Sequence, residues 1–195
     1  MKHFLSLYRF TVAAMLLALA LFLPFLTGQI PEIGSMLCPM HLPVLLGGYF
    51  LGPLYGLALG AVAPLIRSLW LGMPPLFPTA IAMCFELASY GFFAGLLHHR
   101  LPKTKWALYL SLIGTMLIGR ATWGSVMVIL CRLNNTAFGW SAFWGGAFLT
   151  ALPGILLQIV LIPPLVLAVR HVFPSLCDSD SVRIGGLNKD FTSKP

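Results

Sequence analysis

Charge is what this chain has least of. Only 9% of its 195 residues are Asp, Glu, Lys or Arg, and just five of those are acidic. An ordinary soluble domain carries about a quarter, so that class is excluded. Catalytic signatures are missing as well. No H-E-x-x-H, G-x-S-x-G or P-loop pattern occurs, so zinc hydrolysis, nucleophile-elbow chemistry and nucleotide hydrolysis lack the residues that perform them. The four cysteines (Cys38, Cys84, Cys131 and Cys177) are scattered without C-x-x-C spacing. That argues against metal ligation by them and says little about redox compartment. The apolar runs lack strand-like alternation, which argues against an outer-membrane barrel. No internal repeat and no second domain is visible.

What fills the chain instead is hydrocarbon. Hydrophobic residues make up 58% and the mean hydropathy is +0.91, the composition of a multi-spanning helical membrane protein. In lipid the backbone must satisfy its own hydrogen bonds, so the apolar segments are expected to be helices. Spans are predicted over about 10–27, 79–97, 106–131 and 141–169, each near the roughly 20 residues a bilayer requires. Pro163 and Pro164 predict a kink or short break in the last. The stretch 42–71 reads either as one kinked helix or as two helices broken at Gly52–Pro53. Basic residues decide. Nine of them cluster in three places: Lys2 and Arg9; Arg100, Lys103 and Lys105; and Arg170, Arg183, Lys189 and Lys194. Only two helices put all three clusters on one side, and basic loops favour the cytoplasm. The expectation is an all-α bundle of six transmembrane helices in the cell membrane, both termini cytoplasmic. The second helix, about 42–51, is too short to span untilted.

The first span has a basic start and an apolar core, but no A-x-A-like site follows before Gln29. It reads as a retained helix rather than a signal peptide. Residues 1–175 are expected to form one membrane domain and 176–195 a flexible cytoplasmic tail. The net charge of +7 follows from this topology and favours anionic lipid headgroups, without a nucleic-acid partner.

Three charges interrupt the apolar helices: Arg67, Glu86 and Arg120. Intramembrane charges are costly and face the bundle interior, paired or near water. All three are candidates for one cavity in the outer half of the bundle. A purely structural reading pairs Glu86 with one arginine. That pairing leaves a surplus guanidinium, which suits a carboxylate ligand gripped by two parallel hydrogen bonds. The first outer loop, about 28–43, is unusually apolar, carrying Ile30, Ile33, Met36, Leu37 and Met40 among Gln29, Glu32, Ser35 and His41. It reads as a lid over the bundle mouth, or as an interfacial re-entrant segment. The outer loop 72–78, rich in proline, forms a second wall. Asn135 in the third outer loop supplies an amide near the same mouth. Trp123 and Trp140 are either ligand-stacking or ordinary interfacial tryptophans. Adjacent His98 and His99 point in different directions and make a poor metal site. Glu86 as an intramembrane base lacks a partner nearby in sequence, so an enzyme is disfavoured. Ala14 and Ala18 form A-x-x-x-A on the first helix, and Gly56 and Gly60 form a similar stripe on the third. Small residues at that spacing let another helix approach closely.

Two blocks carry a family resemblance: GQIPEIGSMLCPMHLPVLLGGYFLGPLYGLALGAVAPLIRS and LGMPPLFPTAIAMCFELASYGFFAGLL. The chain resembles the substrate-binding S components of energy-coupling factor (ECF) micronutrient importers, over about residues 5–170. The resemblance implies a six-helix body, a micronutrient bound near the outer face under the first loop, and no cofactor. It implies docking on a transmembrane coupling subunit through the stripe matched by Ala14 and Ala18, with two cytoplasmic ATPases driving uptake. Family cargoes include pantothenate, riboflavin, folate, thiamin, biotin, cobalamin, queuosine precursors and metal ions. The metal branch uses an N-terminal Met-His whose free amine is a ligand; Met40-His41 is internal here, so no metal role is carried over. The expected site is Gln29, Glu32, Arg67, Glu86, Arg120 and Asn135, with a carboxylate vitamin as cargo and pantothenate first. The alternatives are a queuosine precursor held by Glu86, cobalamin, or a non-transporting envelope scaffold that needs no ligand.

Overall fold

A computed structural model describes residues 2–26, 30, 36–102, 104–134, 139, 143–145 and 149–172. The expected tail, 176–195, lies outside the described residues. Among the described residues the regular structure is helical: α1 (Lys2–Leu26), α2 (His41–Leu51), α3 (Pro53–Leu71), α4 (Ile81–Arg100), α5 (Lys105–Leu133) and α6 (Leu152–Val172), with one wide turn at Leu76–Ala80 leading into α4. Five of these helical segments are long and apolar enough to cross a membrane; α2, with 11 residues, is not.

The boundaries follow from local chemistry. α2 ends at Gly52, whose φ of 95° suits glycine. Pro53 then opens α3 at the position where its missing N–H costs nothing. Gly72, left-handed at φ 70°, closes α3 with its N–H on the Ser68 carbonyl at 3.0 Å. Thr104 caps α5, its Oγ1 accepting from the Ala107 N–H at 3.3 Å. α6 carries Pro153 in its first turn, the place a helix tolerates proline best; of the expected span 141–169, residues 141–142 and 146–148 lie outside the described residues. Pro163 and Pro164 lie inside α6 without breaking it; in a bundle, neighbouring groups relieve the freed carbonyls.

α2 is the centre of the bundle. All eleven of its residues are buried, and it touches α1, α3, α4 and α6. Leu45, Tyr49, Leu112, Ile162 and Val166 form the core around it. Phe22, Leu54, Trp70, Trp106 and Val160 are exposed on the outside, an apolar surface that only lipid accommodates. The tightest seam joins α3 to α4. A Cβ on Gly91 would collide with the Gly56 backbone, and one on Gly60 with the backbone of Leu87. Bare backbones therefore lie against each other, as small-residue stripes in membranes permit. At the far end of α4, Arg170 Nη2 lies 2.8 Å from His98 Nε2. Arginine can only donate, so that imidazole nitrogen accepts, and the contact ties α6 to α4.

Candidate functional site

Glu86 lies about a turn and a half into α4 and is only 2% exposed. Its Oε1 sits 3.0 Å from Arg120 Nη1 of α5 and 3.4 Å from His41 Nε2 at the start of α2. Three helices thus bring their polar side chains to one buried point. Tyr90, one turn beyond Glu86 on the same face, places its ring 5.1 Å from that of His41 in a T-shaped contact. Its hydroxyl donates to the Met116 carbonyl at 3.4 Å. The ring fits because Gly119 has no side chain: a Cβ there would stand 2.8 Å from it.

Cys38 completes the group from the loop. Its φ of 47° is left-handed, rare for a side chain of this type. The strained turn ends with the His41 N–H on the Cys38 carbonyl at 3.1 Å, which aims His41 at Glu86. The thiol accepts from Arg120 Nη2 at 3.5 Å. Burial pushes this thiol up from its ordinary value, so it is neutral at neutral pH. Just before it, the carbonyls of Met36 and Leu37 seat on the first turn of α6, 2.6 and 2.7 Å from where a Cβ of Gly154 would be. The described end of the loop between α1 and α2 therefore rests against the first turn of α6, next to Cys38.

The group is left with unmet polar atoms. Both His41 nitrogens and Arg120 Nε are buried without a hydrogen-bond partner. Buried groups of this kind cost free energy unless something completes them. The arrangement can hold a small polar group by charge and hydrogen bond. Among the described residues, no three His, Cys, Asp or Glu side chains are placed to hold a metal ion.

The sequence-derived candidates divide. Glu86 and Arg120 meet. Arg67 is buried elsewhere: its Nη1 donates to the Leu21 carbonyl at 3.3 Å and its guanidinium sits 5.8 Å over the Phe25 ring. Both partners belong to α1, whose C-terminal end attracts a cation. Gln29, Glu32, Asn135 and Trp140 lie outside the described residues. Cys38, His41 and Tyr90 are what the geometry adds. Ala14 and Ala18 are exposed on α1, while Ala13 and Ala20 are buried.

A family model described as the ECF transporter, substrate-specific component, matches residues 8–166. The chain belongs to this family. Neither a curated protein nor a solved structure matches it. As an S component, it is a multi-pass membrane protein and the substrate-binding subunit of an ECF importer, working with an ECF module. The buried charge cluster is then the natural place to look for its cargo.

Proposed function

We propose that this S component captures a carboxylate-bearing vitamin, pantothenate first, at its outer end for ATP-driven uptake. The observation that carries the reading is the buried Glu86–Arg120–His41 group under the seated loop, with Arg120 Nε lacking a partner. A guanidinium presents paired donors to a carboxylate, and in a dry site such a contact is strong. Arg120 is the anchor, with Glu86 and His41 beside it. Gln29 and Glu32 from the first loop and Asn135 from the third close the mouth, while Arg67 stays engaged on α1. A cationic queuosine precursor is the alternative cargo, favoured by the buried carboxylate of Glu86.

The subunit lies in the plasma membrane with both termini in the cytoplasm. Support comes from the basic residues Arg9, Arg100, Lys105 and Arg170, which stand near helix ends that six alternating helices bring to one side. It docks on a transmembrane coupling subunit driven by two ATPases. The docking face is Ala14 and Ala18, which are turned away from the bundle. Replacing both with Leu is expected to leave ligand affinity within about twofold, as exposed substitutions do. Uptake of labelled vitamin into cells holding the whole importer is expected to fall by about tenfold or more, because the partner helix no longer approaches closely. Undiminished uptake would remove the stripe from the docking face.

A further inference from the structure

We infer that a carboxylate ligand enters this site together with a proton, and that His41 takes it. The inference rests on the carboxylate reading above and adds its regulation by pH.

The argument is one of charge in a dry place. Glu86 and Arg120 lie 3.0 Å apart and cancel. Arg67 is engaged on α1. Cys38 stays a neutral thiol. Among the described residues, then, the site holds no positive charge without its own carboxylate. A ligand carboxylate beside Arg120 would set two anions on one guanidinium. Two carboxylates sharing a buried site do not both ionise without a second cation.

His41 is placed to be that cation. It is 3% exposed, and neither ring nitrogen has a hydrogen-bond partner. An imidazole nitrogen with a free lone pair accepts a proton from solvent as the ligand arrives; no other bond forms or breaks. The imidazolium then stands 3.4 Å from Glu86 Oε1 and becomes its counter-ion. Arg120 is released to turn its Nε and Nη edge toward the ligand. The Tyr90 ring at 5.1 Å packs against the charged imidazolium.

The titratable groups that face His41 support this exchange. They are Glu86 and Tyr90 on α4, Arg120 on α5 through Glu86, and Cys38 in its own turn. The sign follows directly. Binding that takes up a proton weakens as pH rises, because the proton becomes scarcer.

The test is calorimetric titration of pantothenate into the purified full-length protein, in HEPES and in Tris at about pH 7.5, where free histidine is mostly neutral. The difference in heat between buffers, divided by the difference in their ionisation enthalpies, counts the protons. About one proton is expected for pantothenate and none for pantothenol, its neutral alcohol counterpart, and pantothenate affinity should fall by about tenfold per pH unit above that range. His41→Gln should abolish the proton uptake. Pantothenate binding without proton uptake, or uptake that persists in His41→Gln, overturns the inference and leaves the carboxylate reading standing. Binding of neither pantothenate nor biotin overturns the carboxylate reading, and the proton goes with it. Should His41→Gln fail to fold, the pantothenate and pantothenol comparison on the unaltered chain decides alone.

Discussion

Replacing Glu86 with Leu is expected to destabilise the protein by about 3–5 kcal/mol, and adding Arg120→Met is expected to restore most of that loss. The single change strands a guanidinium that is 5% exposed, in a site where its carboxylate partner was 3.0 Å away. The double change removes both charges and leaves apolar side chains of similar size, which a bundle core accepts. Thermal unfolding in detergent reads both effects. Ligand binding separates a purely structural pair from a binding site. If the pair only locks α4 to α5, the double variant keeps its affinity along with its fold. If the pair is the site, the double variant is folded and does not bind. A double variant as unstable as the single one would show that the charges are not each other's main partners.

Gly91→Leu is expected to disrupt the fold, at a cost of about 3 kcal/mol or more. A single added Cβ would already collide with the Gly56 backbone across the α3–α4 seam. Backbone atoms cannot swing aside as a side chain can, so α3 and α4 would have to separate. Both helices also pack on α2, which carries His41, so their separation opens the centre of the bundle. Size-exclusion profiles and melting curves of the variant should show an aggregated or strongly destabilised protein. Gly145→Ala serves as the control, since a Cβ there meets nothing within 4 Å. A variant Gly91→Leu as stable as the unaltered chain would mean that the helices are not held at backbone contact.

Parts of this structure are legible in the sequence because single residues encode them. Gly52–Pro53 joins a left-handed glycine to a proline that can only begin a helix, and the break falls there. The need of Glu86 for a cation inside hydrocarbon follows from its charge alone. Other parts depend on how helices turn against one another, which no local signal states. Arg67 reads as the surplus cation of the site until the C-terminal end of α1 is seen beside it. His41 stands 45 positions before Glu86, and only the buried course of α2 brings them together. The left-handed Cys38 has no signature, because glycine is the residue expected there. Pro153 marks the first turn of α6, whereas the apolar stretch before it reads by composition as part of the same span.

The central claim is that the charged group under the first loop holds a small cargo. Its most direct test is thermal stabilisation of the purified full-length protein against a panel of vitamins and their precursors. A ligand present at about 100 times its Kd stabilises by about 2.7 kcal/mol, a readily visible shift. One clear hit is expected, a carboxylate-bearing vitamin, and its shift should vanish in the Glu86→Leu, Arg120→Met double variant. Folded protein that carries no ligand through purification and shifts with nothing on the panel would contradict the claim, as would a hit that the double variant still binds.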